Sequence, residues 1–223
     1  MSDIKIDKLI RSRRKTIGLH ITSDAKLIVR APVFASTAFI QDLIRRKKSW
    51  IRAKQDFYKQ RPRTTRKFAA GEEFLFLGEP YPLTVAEDLP KAVVFDGALK
   101  ISNLVLSNAR DHLECWYKTL ALEHITARVM YFAQNAGLTY KSIRVNSAST
   151  RWGSCGYNDS LNFSWRLIMA PPSVVDYVVI HELAHLKQKN HSRRFWAEVS
   201  LMMPDYRKEE AWLKENHHLL LWP

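Results

Sequence analysis

The stretch "VVIHELAHLKQKNHSRRFW", residues 178–196, decides how this chain is read. Three histidines and one glutamate stand in a segment otherwise rich in Val, Ile, Leu and Ala. Titratable side chains in a stretch apolar enough to be buried cost free energy unless something pairs with them. His181 and His185 are four residues apart, so on a helix both imidazoles share one face, one turn apart. Two nitrogens so placed can meet one Zn2+ at ~2.0–2.1 Å. Glu182 lies about 100° round the helix from His181, beside such an ion rather than on it. There a carboxylate can take a proton from a water that the metal activates. His191 follows six residues after His185, and Asn190 is expected to end the helix in a left-handed conformation and return His191 as the third ligand. Three neutral imidazoles leave a fourth position open, as a catalytic zinc needs, whereas a structural zinc favours cysteines and closes all four. The bland alternative is a helix whose histidines are satisfied core or surface groups. Three of them at ligand spacing with an adjacent Glu weigh against it.

The surroundings agree with a buried metal helix. The approach "VVDYVVI" (174–180) is apolar, and Ser173 with Asp176 reads as a capping box at the helix start. Upstream, "SIRVNSA" (142–148) and "SLNFSWRLIMA" (160–170) read as strands flanking "STRWGSCGYND" (149–159). An edge strand here could lie beside the metal and accept an extended peptide as an added strand. Trp152, Gly153 and Ser154 are the candidate substrate-binding residues, with Gly153 allowing close backbone approach. Arg151 is placed either to stabilise an oxyanion or in a structural ion pair. Trp152, Phe195 and Trp196 read more readily as core than as a substrate platform. Cys155 reads as a small buried hydrophobe rather than a fourth ligand.

The rest of the chain alternates strands and helices. "TIGLHIT" (16–22) and "KLIVRAP" (26–32) read as a hairpin around Ser23-Asp24-Ala25. An amphipathic basic helix follows over about 37–60, with Phe39, Ile40, Leu43, Ile44, Trp50, Ile51, Phe57 and Tyr58 at helical spacing and Arg45, Arg46, Lys48 and Arg52 on the other face. "QRPRTTRK" (60–67) is the best linker candidate. "EFLFLGEPYPLTVAE" reads as two strands joined by a Gly-Glu-Pro turn, and "AVVFDGALKIS" as a hairpin around Asp96-Gly97. Residues 107–137 read as a helix with an apolar stripe including Leu113, Trp116, Tyr117, Leu122, Ile125 and Val129, closed by Gly137. Two shorter helices are expected over 192–203 and 205–217. The class is α+β: a mixed or antiparallel sheet with a zincin-type active-site helix and a basic N-terminal strand-plus-helix region. Residues 1–67 form that basic region, and 68–223 the core that carries the histidine helix, with one continuous domain as the alternative.

Composition narrows the function. With 223 residues, 46% hydrophobic, the chain can bury a full core, and seven tryptophans argue against disorder. No apolar run approaches the length of a membrane span, and the start "MSDIKIDKLIRSRRK" lacks the apolar region of a secretory signal. Two cysteines make no disulfide framework, so a reducing, cytoplasmic location is expected. The net charge of +13 is unevenly placed. Residues 1–70 hold 19 Lys/Arg against 5 Asp/Glu, leaving 16 against 17 in the remainder. Such asymmetry points to a polyanionic partner or to a solvated basic face.

Residues 149–206 closely resemble the YgjP-like metallopeptidase family, a relative of the SprT-like and gluzincin-type zinc peptidases. "RWGSC" (151–155), "HELAHL" (181–186) and "NHS" with "FW" (190–192, 195–196) are the most specific parts, and "RSRRKTIGLHITSDAKLIVRAP" also fits. The resemblance covers nearly the whole chain. It implies zinc held by His181, His185 and His191, Glu182 as general base, and an α+β metallopeptidase core. Gln188 stands where the metzincin pattern has Gly, which speaks against that group but not against a third histidine. Three functions stay open. The first is a zinc metallopeptidase acting on peptide or protein substrates. The second is a metal-dependent hydrolase of nucleotides or other phosphoanhydrides. In the third, the basic residues 1–70 bind nucleic acid, a role that can coexist with peptidase activity.

Overall fold

The computed structural model describes residues 4–22, 24–60 and 66–222. Its architecture is α+β with mixed sheets. Two compact units divide it, one holding the residues up to 65 and the other 66–222. Residues 61–65 of the expected linker and Ser23 of the first turn lie outside the described residues.

In the first unit, β1 (Lys8–Ser12), β2 (Gly18–Ile21) and β3 (Leu27–Pro32) form a sheet in the order β1-β3-β2. The hairpin β2–β3 is antiparallel, and β1 runs parallel to β3. The expected helix is broken into α1 (Thr37–Arg46) and α2 (Lys48–Gln60) at Lys47, whose backbone leaves helical geometry. Ser36 caps α1 by accepting from the N–H of Phe39. Ile21, Leu27, Val29 and Ala31 of the sheet and Ile40, Ile44 and Ile51 of the helices make the core of this unit.

The second unit opens with β4 (Glu73–Phe76), β5 (Glu79–Ala86), β6 (Val93–Phe95) and β7 (Leu99–Ser102), in the order β4-β5-β7-β6. The β4–β5 turn falls one step earlier than expected, at Leu77-Gly78. Both take positive φ (50° and 90°), the conformation a two-residue hairpin turn requires, and Glu79-Pro80 already belong to β5. Gly97 turns β6 into β7 at φ 98°. The long helix α3 (Ala109–Asn135) buries Leu113, Tyr117, Ala121, Ile125, Val129 and Ala133, a stripe with a step of four. Leu122, expected in that stripe, is exposed.

A second sheet carries the site. β8 (Ser142–Asn146), β9 (Gly153–Cys155) and β10 (Ser160–Ser164) take the order β8-β10-β9, so β9 is an edge strand, antiparallel to β10. The expected strand 160–170 ends at Ser164. Trp165–Met169 coil into a 3-10 turn in which every side chain is buried, and a buried run without period does not tell that turn from a strand. The motif helix α4 (Pro172–Lys187) is buried on nearly all sides, and α5 (Arg193–Met202) and α6 (Tyr206–Asn216) follow it.

Candidate metal centre

α4 does not begin with a capping box. Pro171 is its N-cap and Pro172 opens its first turn. Ser173 Oγ instead hydrogen-bonds Glu209 Oε2 (2.9 Å), and Asp176 forms a two-pronged ion pair with Arg128 of α3 (Nη2–Oδ2 2.8 Å). These two contacts fix the helix against α6 and α3.

The helix also ends earlier than expected. Its C-cap is Gln188, with extended backbone (φ −131°, ψ 102°), and Asn190 is not among the residues with positive φ. Asn190 builds the return with its side chain, Oδ1 accepting from the N–H of Ser192 (3.2 Å). Ser192 Oγ then caps α5 by accepting from the N–H of Phe195 (3.4 Å). Between these turns stands His191.

The chain thereby brings His181, His185 and His191 together, one nitrogen from each lying within 4.8 Å of the others. His181 Nε2 and His191 Nε2 are 3.0 Å apart. Nitrogens sharing one tetrahedral Zn2+ at ~2.0–2.1 Å would lie roughly 3.3 Å apart, close to the separation of this pair. His185 Nδ1 sits 3.0 Å from Gln188 O, and a proton held there leaves Nε2 with its lone pair. The fully buried Phe195 ring touches all three imidazoles, at centroid distances of 4.8, 4.5 and 4.7 Å to His181, His185 and His191. Trp196 stacks on Tyr206 at 5.2 Å, and Tyr206 on Tyr177. Burial, then the neighbouring His185 and His191, lower His181 to about 3, and burial also lowers His185. Both are therefore neutral at pH 7, the form that binds metal.

Glu182 is 5% exposed, and its Oε2 has no hydrogen-bond partner. Burial raises it to about 8, opposed by a hydrogen bond from the backbone N–H of Cys155 and by the charge of Arg151. A divalent cation beside it would favour the carboxylate. An orphaned buried oxygen next to three converging imidazoles fits a bound metal.

The cleft at this point, about 300 Å3, is lined by Gly153, Ser154, Cys155, His181, Glu182, His185, Lys189 and His191. Of the residues expected near substrate, Gly153 and Ser154 line it. Arg151 is exposed in the loop before β9, and Trp152 packs against the main core, so neither forms the cleft wall. Cys155 is half-buried at the cleft, with Lys189 Nζ 3.7 Å from its Sγ. Sequence reasoning missed Lys189, which pairs with Asp159 at 2.7 Å across thirty residues that no local pattern connects.

Two imidazoles and a sheltered carboxylate on α4, a third imidazole from the turn after it, and an edge strand beside them define the class of a metal-dependent hydrolase site. The chain belongs to the YgjP-like metallopeptidase family, whose domain matches residues 15–216. Among solved structures, the metallopeptidase zymogen abylysin of Pyrococcus abyssi is 18% identical, covering 41% of this chain and 93% of that one, with a TM-score of 0.38. The zymogen jannalysin of Methanocaldococcus jannaschii is 20% identical, covering 40% and 91%, at 0.36. Wss1 of Saccharomyces cerevisiae is 13% identical, covering 58% and 89%, at 0.34. No curated protein matches the chain.

Proposed function

We propose that the protein is a zinc metallopeptidase in which His181, His185 and His191 hold the ion and Glu182 is the general base. The observation that carries this is the convergence of three imidazole nitrogens within 4.8 Å of one another beside a buried carboxylate oxygen without a partner. Zinc there would supply a Lewis acid that polarises the scissile carbonyl and acidifies water. Glu182 Oε2 takes the proton from the attacking water and returns it to the leaving amine. The apolar packing of Phe195 and Trp196 limits solvent around the imidazoles. Gly153 and Ser154 of β9 form the wall along which an extended peptide lies. Both cysteines are unpaired, in keeping with a reducing cytoplasmic location.

Metal analysis of wild-type and His191→Ala protein, paired with a peptide-library screen, tests the assignment. Stoichiometric zinc in the wild type and at least a tenfold loss of affinity in the variant are expected. Full zinc with no cleavage across a diverse library would sink the peptidase reading. A parallel panel of nucleoside triphosphates covers the other reaction open to this donor set. Phosphate release that depends on Glu182 would move the substrate from peptide to phosphoanhydride.

A second role is favoured by the first unit. On α1 and α2 the exposed rings of Phe39 and Trp50 stand among the exposed cations Arg45, Arg46 and Lys47. Aromatic rings interleaved with cations suit single-stranded nucleic acid, whose bases stack while its phosphates are neutralised. Binding to a single-stranded oligonucleotide should weaken steeply with salt, and Trp50→Ala should cost ~1–3 kcal/mol. Salt-insensitive or absent binding in an anisotropy titration would remove this role.

A further inference from the structure

We propose that β9 positions the Glu182 side chain, and that Gly153 is a glycine because Glu182 fills the space its side chain would take. A Cβ built on Gly153 would lie 2.5 Å from Glu182 Oε1, 2.6 Å from Cγ and 2.8 Å from Cδ. Carbon atoms do not approach carbon that closely, so one of the two would have to move. The neighbour is not the free end of a surface chain. Glu182 is 5% exposed and rooted on a helix buried on nearly all sides, so it has little room to yield. Nor does backbone conformation call for glycine here. Gly153 is absent from the glycines with positive φ, which are Gly71, Gly78, Gly97 and Gly137. Space alone demands it.

The ladder supplies the second half of the clamp. Gly156 N–H donates to Ser160 O (2.8 Å), and Ser164 N–H donates to Trp152 O (2.8 Å). Backbone groups alternate in direction along a strand, so residues 152, 154 and 156 face β10, and those of Gly153 and Cys155 face away from it. The outward N–H of Cys155 is the one that acts on the Glu182 carboxyl, favouring its charged form against the effect of burial. The edge strand thus presents a gap without a Cβ and, two residues on, a donor turned the same way as the free edge. Together they fix the carboxyl group against β9 and leave Oε2 buried without a hydrogen-bond partner. Gly153, expected from the sequence to admit a substrate backbone and part of the cleft wall, is also a positioning residue.

That the positioned group is a catalytic base rests on the metallopeptidase reading; the steric pairing does not. A double-mutant cycle on the full-length protein separates the two. Gly153→Ala alone should lower Tm by roughly 4–8 °C, because an overpacked buried contact has no easy relief. In a Glu182→Ala background, where the clash is gone, the same substitution should shift Tm by less than about 2 °C. Gly153→Ala should also lower kcat at least about 10²-fold with KM little changed, since a displaced group costs turnover, while zinc stays stoichiometric on the untouched histidines. If Gly153→Ala alone does not fold while the double variant does, the pairing is supported most directly. An equal Tm penalty in both backgrounds, or none in either, overturns the proposal. A clean cycle in a wild-type protein that cleaves nothing would leave the clamp standing and remove the peptidase reading.

Discussion

Replacing Glu182 by Gln is expected to lower peptide hydrolysis by about 10²–10⁴-fold, the usual worth of a general base, with zinc content unchanged. The substitution is chosen for its shape. Gln keeps the carbonyl oxygen that can accept from the N–H of Cys155 and the methylenes that fill the gap at Gly153. It removes only the ability to take a proton. The three imidazoles are untouched, so equal zinc in both proteins assigns the loss to proton transfer rather than to the metal. Thermal stability should stay close to wild type, because a carboxylate that is 5% exposed and half-satisfied is exchanged for a neutral group of equal volume. Turnover within a factor of about three of wild type would transfer the base role to another group and end this assignment.

The histidine triad was legible because its information is local. Histidines at i and i+4 share a helix face whatever the rest of the fold does, and a return within six residues is a short-range matter. The way the return is made was less so. Asn190 was expected to act through a left-handed backbone, whereas it acts through its side chain, because Gln188 had already left the helix. Both solutions place a short polar residue at the turn, and composition does not separate them. The capping box failed for a tertiary reason. Ser173 and Asp176 have the right spacing, yet their side chains are claimed by Glu209 and Arg128, 36 and 48 residues away. Long-range partners of this kind leave no mark in a local pattern.

The same limit explains the residues around the cleft. Lys189 reaches it through Asp159, and Gly153 owes its identity to an atom on Glu182, 29 positions downstream. A glycine in a strand invites the reading of close approach, which is correct in kind. Only coordinates say whether the approaching group is a substrate or the protein's own side chain. The run after Ser164 shows the converse. "WRLIMA" is apolar but for Arg166 and buried along its length, and burial without period fits strand and 3-10 turn alike. The turn places these side chains in the core and lets the chain swing from the second sheet into α4.

Truncating Trp222 to Ala is expected to destabilise the second unit by about 3–5 kcal/mol, the loss typical of removing a buried large aromatic side chain. Sequence alone gave this tryptophan no role, since it follows a polar helix near the end of the chain. The ring is 4% exposed and meets four others: Phe68 at 5.3 Å, Phe74 at 5.7 Å, Tyr117 at 5.3 Å and Trp165 at 5.0 Å. Its contacts with Phe68, Phe74 and Tyr117 are edge-on, at 67–89° between planes, the favoured arrangement for aromatic quadrupoles. Phe74, Tyr117 and Trp165 are themselves fully buried, on β4, on α3 and in the turn that leads to α4. Removing the indole therefore opens a cavity whose walls belong to three separate elements and cannot collapse by moving one side chain. For a domain of this size the loss corresponds to roughly 8–15 °C in Tm. Trp222→Phe should recover more than half of it by keeping part of the ring volume. Zinc affinity at 25 °C should be nearly unchanged, because none of the four neighbouring rings touches His181, His185 or His191. A Tm within about 2 °C of wild type for Trp222→Ala would mean that the aromatic cluster closes without its fifth member, and the energetic weight given to it here would be wrong.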